Sequence, residues 1–206
     1  DIMAIAESGL DFNMGFKTPK SRIAAHEFSH LDLDCILYDM EIKTVEMLRM
    51  LGRDSEAERF EKNAAERKDL MNKYYLTKDG IYLDYYMKTG GHSEILSAAS
   101  LYPYAFGVSS NKDGALKVLK RLEIEYGLSA CEKRDDDLFF QWDYPCMWPA
   151  ATCLAYMGLK NIELDKDATR IASKYVSVVR KIFDETGRLW EKYDALAGKI
   201  AETCEY

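Results

Sequence analysis

The chain has 206 residues, 48% hydrophobic and 31% charged, a balance typical of globular rather than disordered proteins. A formal net charge of −7 with no basic stripe excludes nucleic acid and anionic membrane surfaces as natural partners, and no apolar run reaches the ~20 residues of a membrane span. Five cysteines without a C-x-x-C spacing predict a reduced, cytoplasmic chain rather than a disulfide framework. The chain opens on DIMAIAES with no initiator Met, so a secreted or periplasmic protein is not excluded.

The elements read as helices in chain order. Residues 31–51 carry Ile36, Met40, Met47 and Leu51 near helical spacing, with Gly52 as the stop. Asp54 or Ser55 is expected to cap a second helix along Ala57, Phe60, Ala64, Met71 and Tyr74. The period then changes. A D-G turn, Tyr/Ile alternation and a G-G turn predict one short hairpin at about 81–88. Residues 94–107 predict a short helix interrupted at Pro103. Ala115, Val118, Leu119 and Leu122 mark another, ending at Gly127. A long loop is expected over 128–145, then helices at 147–157 and 167–183, the last with Ala168, Ile171, Ala172, Tyr175, Val179 and Ile182 inward.

MLGRDSEAERF (50–60) and MGLKNIELDKDATRI (157–171) echo each other: helix end, Gly, acidic cap, then A-x-R and an apolar residue. Repeated helical hairpins leave such an echo. Long loops on a rigid helical frame are where function tends to sit.

Three such stretches set a carboxylate beside aromatics: ESGLDF (7–12), QWDYP (141–145) and LWEKYD (189–194). Sugars need this chemistry. Aromatic faces cover the C–H side of a pyranose, carboxylates and Gln bind its hydroxyls, and glycoside cleavage needs two opposed carboxyl groups. Each stretch by itself reads more readily as a capped turn with a core aromatic than as a site. HEFSHLDLD (26–34) reads as a helix start with solvated acids. Asp135–Asp137 in KRDDD read as a solvated charge run, and the five Tyr between 74 and 86 as packing. His26 and His30 are four apart and would share a helix face. No third ligand of matching spacing follows, so neither metal nor other cofactor is expected.

Taken in order, ESG-x-DF, D-L-D-x-x-LY (32–38), QWDYP-x-x-W-P (141–149) and WEKYD resemble the α,α-trehalases of glycoside hydrolase family 37. YLTKDGIYLDYYMKTG (75–90) and LSAASLYPYAFGV (96–108) are similar to that family's middle region. The resemblance implies an all-α (α/α)6 toroid, of which residues 1–206 would be the C-terminal part of a single catalytic domain. It also implies inverting hydrolysis of trehalose to glucose. It assigns Asp11 as general acid and Glu191 as general base, with Glu7, Gly9, Asp32, Gln141, Trp142, Asp143, Trp148, Trp190 and Tyr193 lining or buttressing the sugar site. The inverting reaction sets an expected Asp11–Glu191 carboxyl separation of roughly 6.5–9.5 Å. The sequence departs from the family pattern at Leu10, Met14–Gly15 and Cys146–Met147. The implied partner is a small disaccharide, trehalose or a related glucoside, with self-association expected through exposed helix faces of a partial domain. The alternatives are a related (α/α)6 glucosidase with another substrate and a non-catalytic carbohydrate-binding relative.

Overall fold

The computed structural model describes residues 3, 10, 13–18, 23–135 and 140–201. Among them are six α-helices and six two-residue strands.

Helix α1 (Leu31–Met50) starts at His30, which offers no side-chain cap. Its first N–H is taken instead by a distant carboxylate: Leu31 N donates to Asp84 Oδ1 at 2.9 Å. Asp32 and Asp34 in the first turn suit the positive end of the helix. Gly52, with φ +69°, reverses the chain into α2 (Asp54–Tyr74). Asp54 is the first residue of α2 rather than its cap, and Asp54 and Glu56 supply first-turn charge. Ala57 and Ala64 are fully buried and let the two helices approach closely. Arg67 then ties α2 to α1, pairing through two 3.0 Å bonds with Glu41 and one of 2.7 Å with Asp34.

Strand order after α2 differs from the expected hairpin at 81–88. The Asp79–Gly80 turn closes only a single bridge, Leu76 to Tyr82. The ladder lies further on, where β2 (Tyr85–Tyr86) pairs with β3 (Gly91–His92) and, on its other edge, with β1 (Phe28–Ser29). Strands this short carry no alternation, so the turn residues alone could not fix their register. Of the five Tyr in this region, Tyr75, Tyr82 and Tyr86 are buried, as packing requires.

A 3-10 turn at Ala98–Leu101 leads into the single-turn helix α3 (Tyr102–Ala105), and every residue of both is buried. Pro103 does not interrupt a helix here. It sits in the first turn of one, where a missing N–H costs nothing. The outer helix α4 (Lys112–Leu122) is capped by Asn111, whose Oδ1 accepts from Gly114 N at 3.2 Å. The last pair is α5 (Pro149–Asn161) and α6 (Asp165–Thr186), the latter stopped by Gly187 at φ +67°.

Helices α1, α3 and α5 pack side by side, while α2 backs α1, α6 backs α5, and α4 packs on the turn before α3. The core between these rows includes Leu101, Tyr104, Val118, Leu122, Trp148, Ala155, Leu159 and Ile171. Gly158 of α5 presses on α3: a Cβ there would meet Ala105 N at 2.9 Å and Tyr104 Cβ at 3.0 Å. Short connections (51–53, 106–111, 162–164) join each hairpin at one end. The long segments (75–101, 123–148, 187–201) gather at the other. This is the array of helical hairpins the echoing sequence predicts. No described helix is long and apolar enough to cross a membrane.

Candidate active site

The second small sheet assembles the site. Strand β4 (Cys146–Met147) pairs with β5 (Tyr193–Asp194), so QWDYP-x-x-W and WEKYD become neighbours although about 45 residues separate them. Strand β6 (Lys199–Ile200) completes the sheet against β5. The β5–β6 turn is held by Asp194 Oδ1, which accepts from Leu196 N at 2.8 Å and Ala197 N at 2.9 Å. Ala195 N donates across to Pro145 O at 2.9 Å.

On this sheet the aromatic and polar residues divide the work. Trp142 and Trp148 stack face to face, ring centres 3.8 Å apart and 4° from parallel. Trp148 Nε1 donates to Gln141 O at 3.1 Å, which closes the loop over the pair. Asp143 is buried and held at both oxygens by Arg134, at 2.5 and 2.8 Å, and it also accepts from Tyr144 N at 2.7 Å. It serves as an anchor under the loop. Arg134, the cation that precedes the acids of KRDDD, thus turns inward, while Asp135 is exposed.

Trp190 and Glu191 stand at the surface of the adjoining loop, and Glu191 is exposed. Tyr193 does the opposite. It is 1% exposed, packs edge-on to Tyr175 and sits with Met147, Val178 and Ile182. Its hydroxyl accepts from Trp190 N at 3.0 Å, so its role is to hold the Trp190 backbone.

A second polar knot ties in the remaining loops. Asn13 Oδ1 accepts from Gly15 N at 2.7 Å, and the Cys131 thiol reaches Asn13 Oδ1 at 3.4 Å and Trp142 O at 3.3 Å. Burial pushes the Cys131 thiol well up, which keeps the proton these contacts need. Ser93 Oγ donates to Gly15 O at 2.6 Å, and Ser93 N donates to Asp84 O at 2.7 Å. A Cβ on Gly15 would lie 2.9 Å from Asn13 Oδ1 and 3.1 Å from Asp84 Oδ2. Burial pushes Asp84 up to about 7, helped by the nearby Asp32, and burial also raises Asp32. Asp32 thus belongs to the α1 N-terminus beside Asp84, Cys35 and Tyr102, at the same end of the helices as the second sheet.

The fold therefore brings Gln141, Trp142, Asp143, Trp148, Trp190, Glu191 and Tyr193 onto one loop cluster, with Asp32 in the neighbouring knot. Glu7, Gly9 and Asp11 lie outside the described residues, and so does the Asp11–Glu191 separation. His26 and His30 do not share a helix face: His26 is in a 3-10 turn and His30 precedes α1, where its Nε2 and Ala25 O are 2.8 Å apart. Among the described residues no cluster of His, Cys, Asp or Glu is built to hold a metal. Arg134, Cys131, Asp84 and Lys192 were not singled out by sequence reasoning. The one signal for Arg134 was a cation beside an acidic run.

A family model described as Trehalase matches residues 1–206. The chain is 28% identical over 202 residues to a periplasmic trehalase of Citrobacter koseri, covering 94% of this chain and 35% of that one. It is 28% identical over 216 residues to a probable trehalase of Saccharomyces cerevisiae, covering 95% and 27%. The chain thus spans about a third of the length of these curated relatives. Its fold is similar to that of the neutral trehalase Nth1 from Saccharomyces cerevisiae, with a TM-score of 0.77 and 24% identity over 89% of this chain and 37% of that one. The hairpin array accordingly corresponds to part of an (α/α)6 toroid.

Proposed function

Given that the chain belongs to the trehalase family, we propose that it forms the loop-bearing part of an inverting glycoside hydrolase that cleaves trehalose to glucose. The observation that carries this reading is the β4–β5 pairing, which sets the exposed Glu191 beside the Gln141–Trp142–Trp148 loop.

In this reading Glu191 is the general base. Its carboxylate removes a proton from a water as that water attacks the anomeric carbon from the face opposite the leaving glucose. Asp11 is the general acid and protonates the departing oxygen. Trp142, stacked on the buried Trp148, supplies a flat apolar surface for the C–H face of a sugar ring, with Gln141 beside it as a hydroxyl partner. Asp143 and Tyr193 act from beneath, through Arg134 and through the Trp190 backbone. Asp32 supports the neighbouring loops from the α1 terminus.

The test is the anomeric composition of the glucose first released from α,α-trehalose, read by proton NMR before mutarotation. Inversion yields one α- and one β-glucose from each disaccharide, whereas retention yields only α-glucose. Glu191→Gln is expected to lower kcat by ~10²–10⁴-fold with folding intact, because the residue is exposed. Product that is all α-glucose removes the inverting reading. A Glu191→Gln protein with unchanged turnover removes the assignment of the base.

A further inference from the structure

Lys192 is an interior lysine. It is 4% exposed, although it lies between the surface residue Glu191 and the core residue Tyr193. Its ammonium sits over Trp148, 5.5 Å from the ring centre, on the stacked Trp pair. Among the described residues no carboxylate lies within ion-pair distance of it and no acceptor within hydrogen-bond distance. Two other charges buried in this molecule are treated differently. Asp143 is clasped by Arg134, and Glu27 meets Lys88 at 2.6 Å.

An ammonium carries three donors and gives up strong hydration when it is buried. A ring face compensates for part of that loss and satisfies none of the donors. The ammonium is not sealed off, because among the described residues the fully buried side-chain N and O atoms without a partner are His92 Nε2, Tyr104 Oη and Thr152 Oγ1. Donors that keep a narrow opening to solvent and no protein partner are placed to meet a ligand at the loop surface. The surroundings name the ligand class. The Gln141 loop, the Trp pair and Glu191 suit a neutral, hydroxyl-rich ring, and ring hydroxyl oxygens are acceptors.

We infer that Lys192 is a substrate-contacting residue, its ammonium held on Trp148 so as to donate to a hydroxyl oxygen of the bound sugar. The inference rests on the sugar-hydrolase reading of this loop cluster. It contrasts with a purely structural role, in which the aliphatic stem and the ammonium brace Trp148.

The two roles predict opposite stability effects. A donor kept for a ligand is a burden on the empty protein, so removing it does not destabilise; a structural brace does destabilise when removed. Lys192→Met keeps the stem and removes the charge. Its Tm is expected to equal or exceed that of the wild type. Its affinity for trehalose and for glucose, read by tryptophan fluorescence, is expected to fall at least tenfold. Lys192→Arg, which keeps cationic donors, should recover part of that loss. A lower Tm for Lys192→Met overturns the inference in favour of the brace. Unchanged sugar affinity in Lys192→Met also overturns it and leaves the hydrolase reading standing. A wild-type protein that binds neither sugar takes down the hydrolase reading and this inference together.

Discussion

Asp143 and Arg134 show how a loop residue can matter without touching a ligand. Asp143 is buried and Arg134 largely covered, with side chains 1% and 11% exposed, so removing one partner leaves the other charge badly housed. Asp143→Ala is expected to cost about 3 kcal/mol in urea unfolding, the low end for a broken buried pair because Arg134 has a further contact. Asp84 gives a prediction of the opposite kind. Its folded-state pKa, raised to about 7, lies above the value of an unfolded carboxyl near 3.8. The folded chain therefore binds more protons between those limits, and this group's contribution to stability falls as pH rises from about 4 to about 7. The raised Asp32 acts in the same direction. Asp84→Asn keeps an acceptor for Leu31 N and should flatten that slope in Tm measured from pH 4 to pH 8. An unchanged slope would show that other groups set it. The sequence made the residues proposed to face the sugar legible, because Gln, Trp and Glu beside turns have a recognisable chemistry. It could not show that Lys192 and Arg134 turn inward, since nothing local distinguishes them from surface cations. Lys192 is placed by a strand pairing about 45 residues away, and Arg134 by its clasp on Asp143.

At the scale of elements, the long helices were readable and the short strands were not. Periodicity located α1, α2, α4 and α6, because ten or more residues define a face. Strands of two residues offer no period, so the hairpin expected at 81–88 lies at 85–92. Pro103 signals a break in the sequence and is a start in the fold, since proline suits a first turn as well as it ends a helix. Gly158 carries a sharper consequence. It is the point where α5 crosses α3, and an added methyl would press on backbone at 2.9–3.1 Å, which neither helix can easily yield. Gly158→Ala should therefore destabilise by ~1–3 kcal/mol despite the better helix propensity of alanine. A stabilised variant in thermal unfolding would show that the crossing is looser than described.

Across the whole molecule, periodicity reveals faces but not what covers them. The apolar stripe that announced α1 is open: Leu33, Ile36, Met40, Met47, Met50 and Leu51 are 42–84% exposed, while Leu31, Cys35, Val45 and Leu48 face the core. Such a surface favours association. We expect the chain to show concentration-dependent self-association in sedimentation, and Met40→Glu with Met47→Glu to shift it toward the monomer while leaving Tm nearly unchanged. A wild-type chain monomeric at all concentrations would contradict this. The hairpin architecture also has a kinetic consequence. Each helix pair closes through a connection of a few residues, so its contacts are local and can form early. The two small sheets are different: β1 waits for β2 across more than fifty residues, and β4 for β5 across about forty-five. Loop-closure entropy delays such pairings until the helices have already shortened the search. The loops bearing Trp142 and Glu191 are therefore expected to meet last during refolding. A population caught just before that moment would look nearly native by helix content and yet lack the loop pairing on which the proposed sugar site depends.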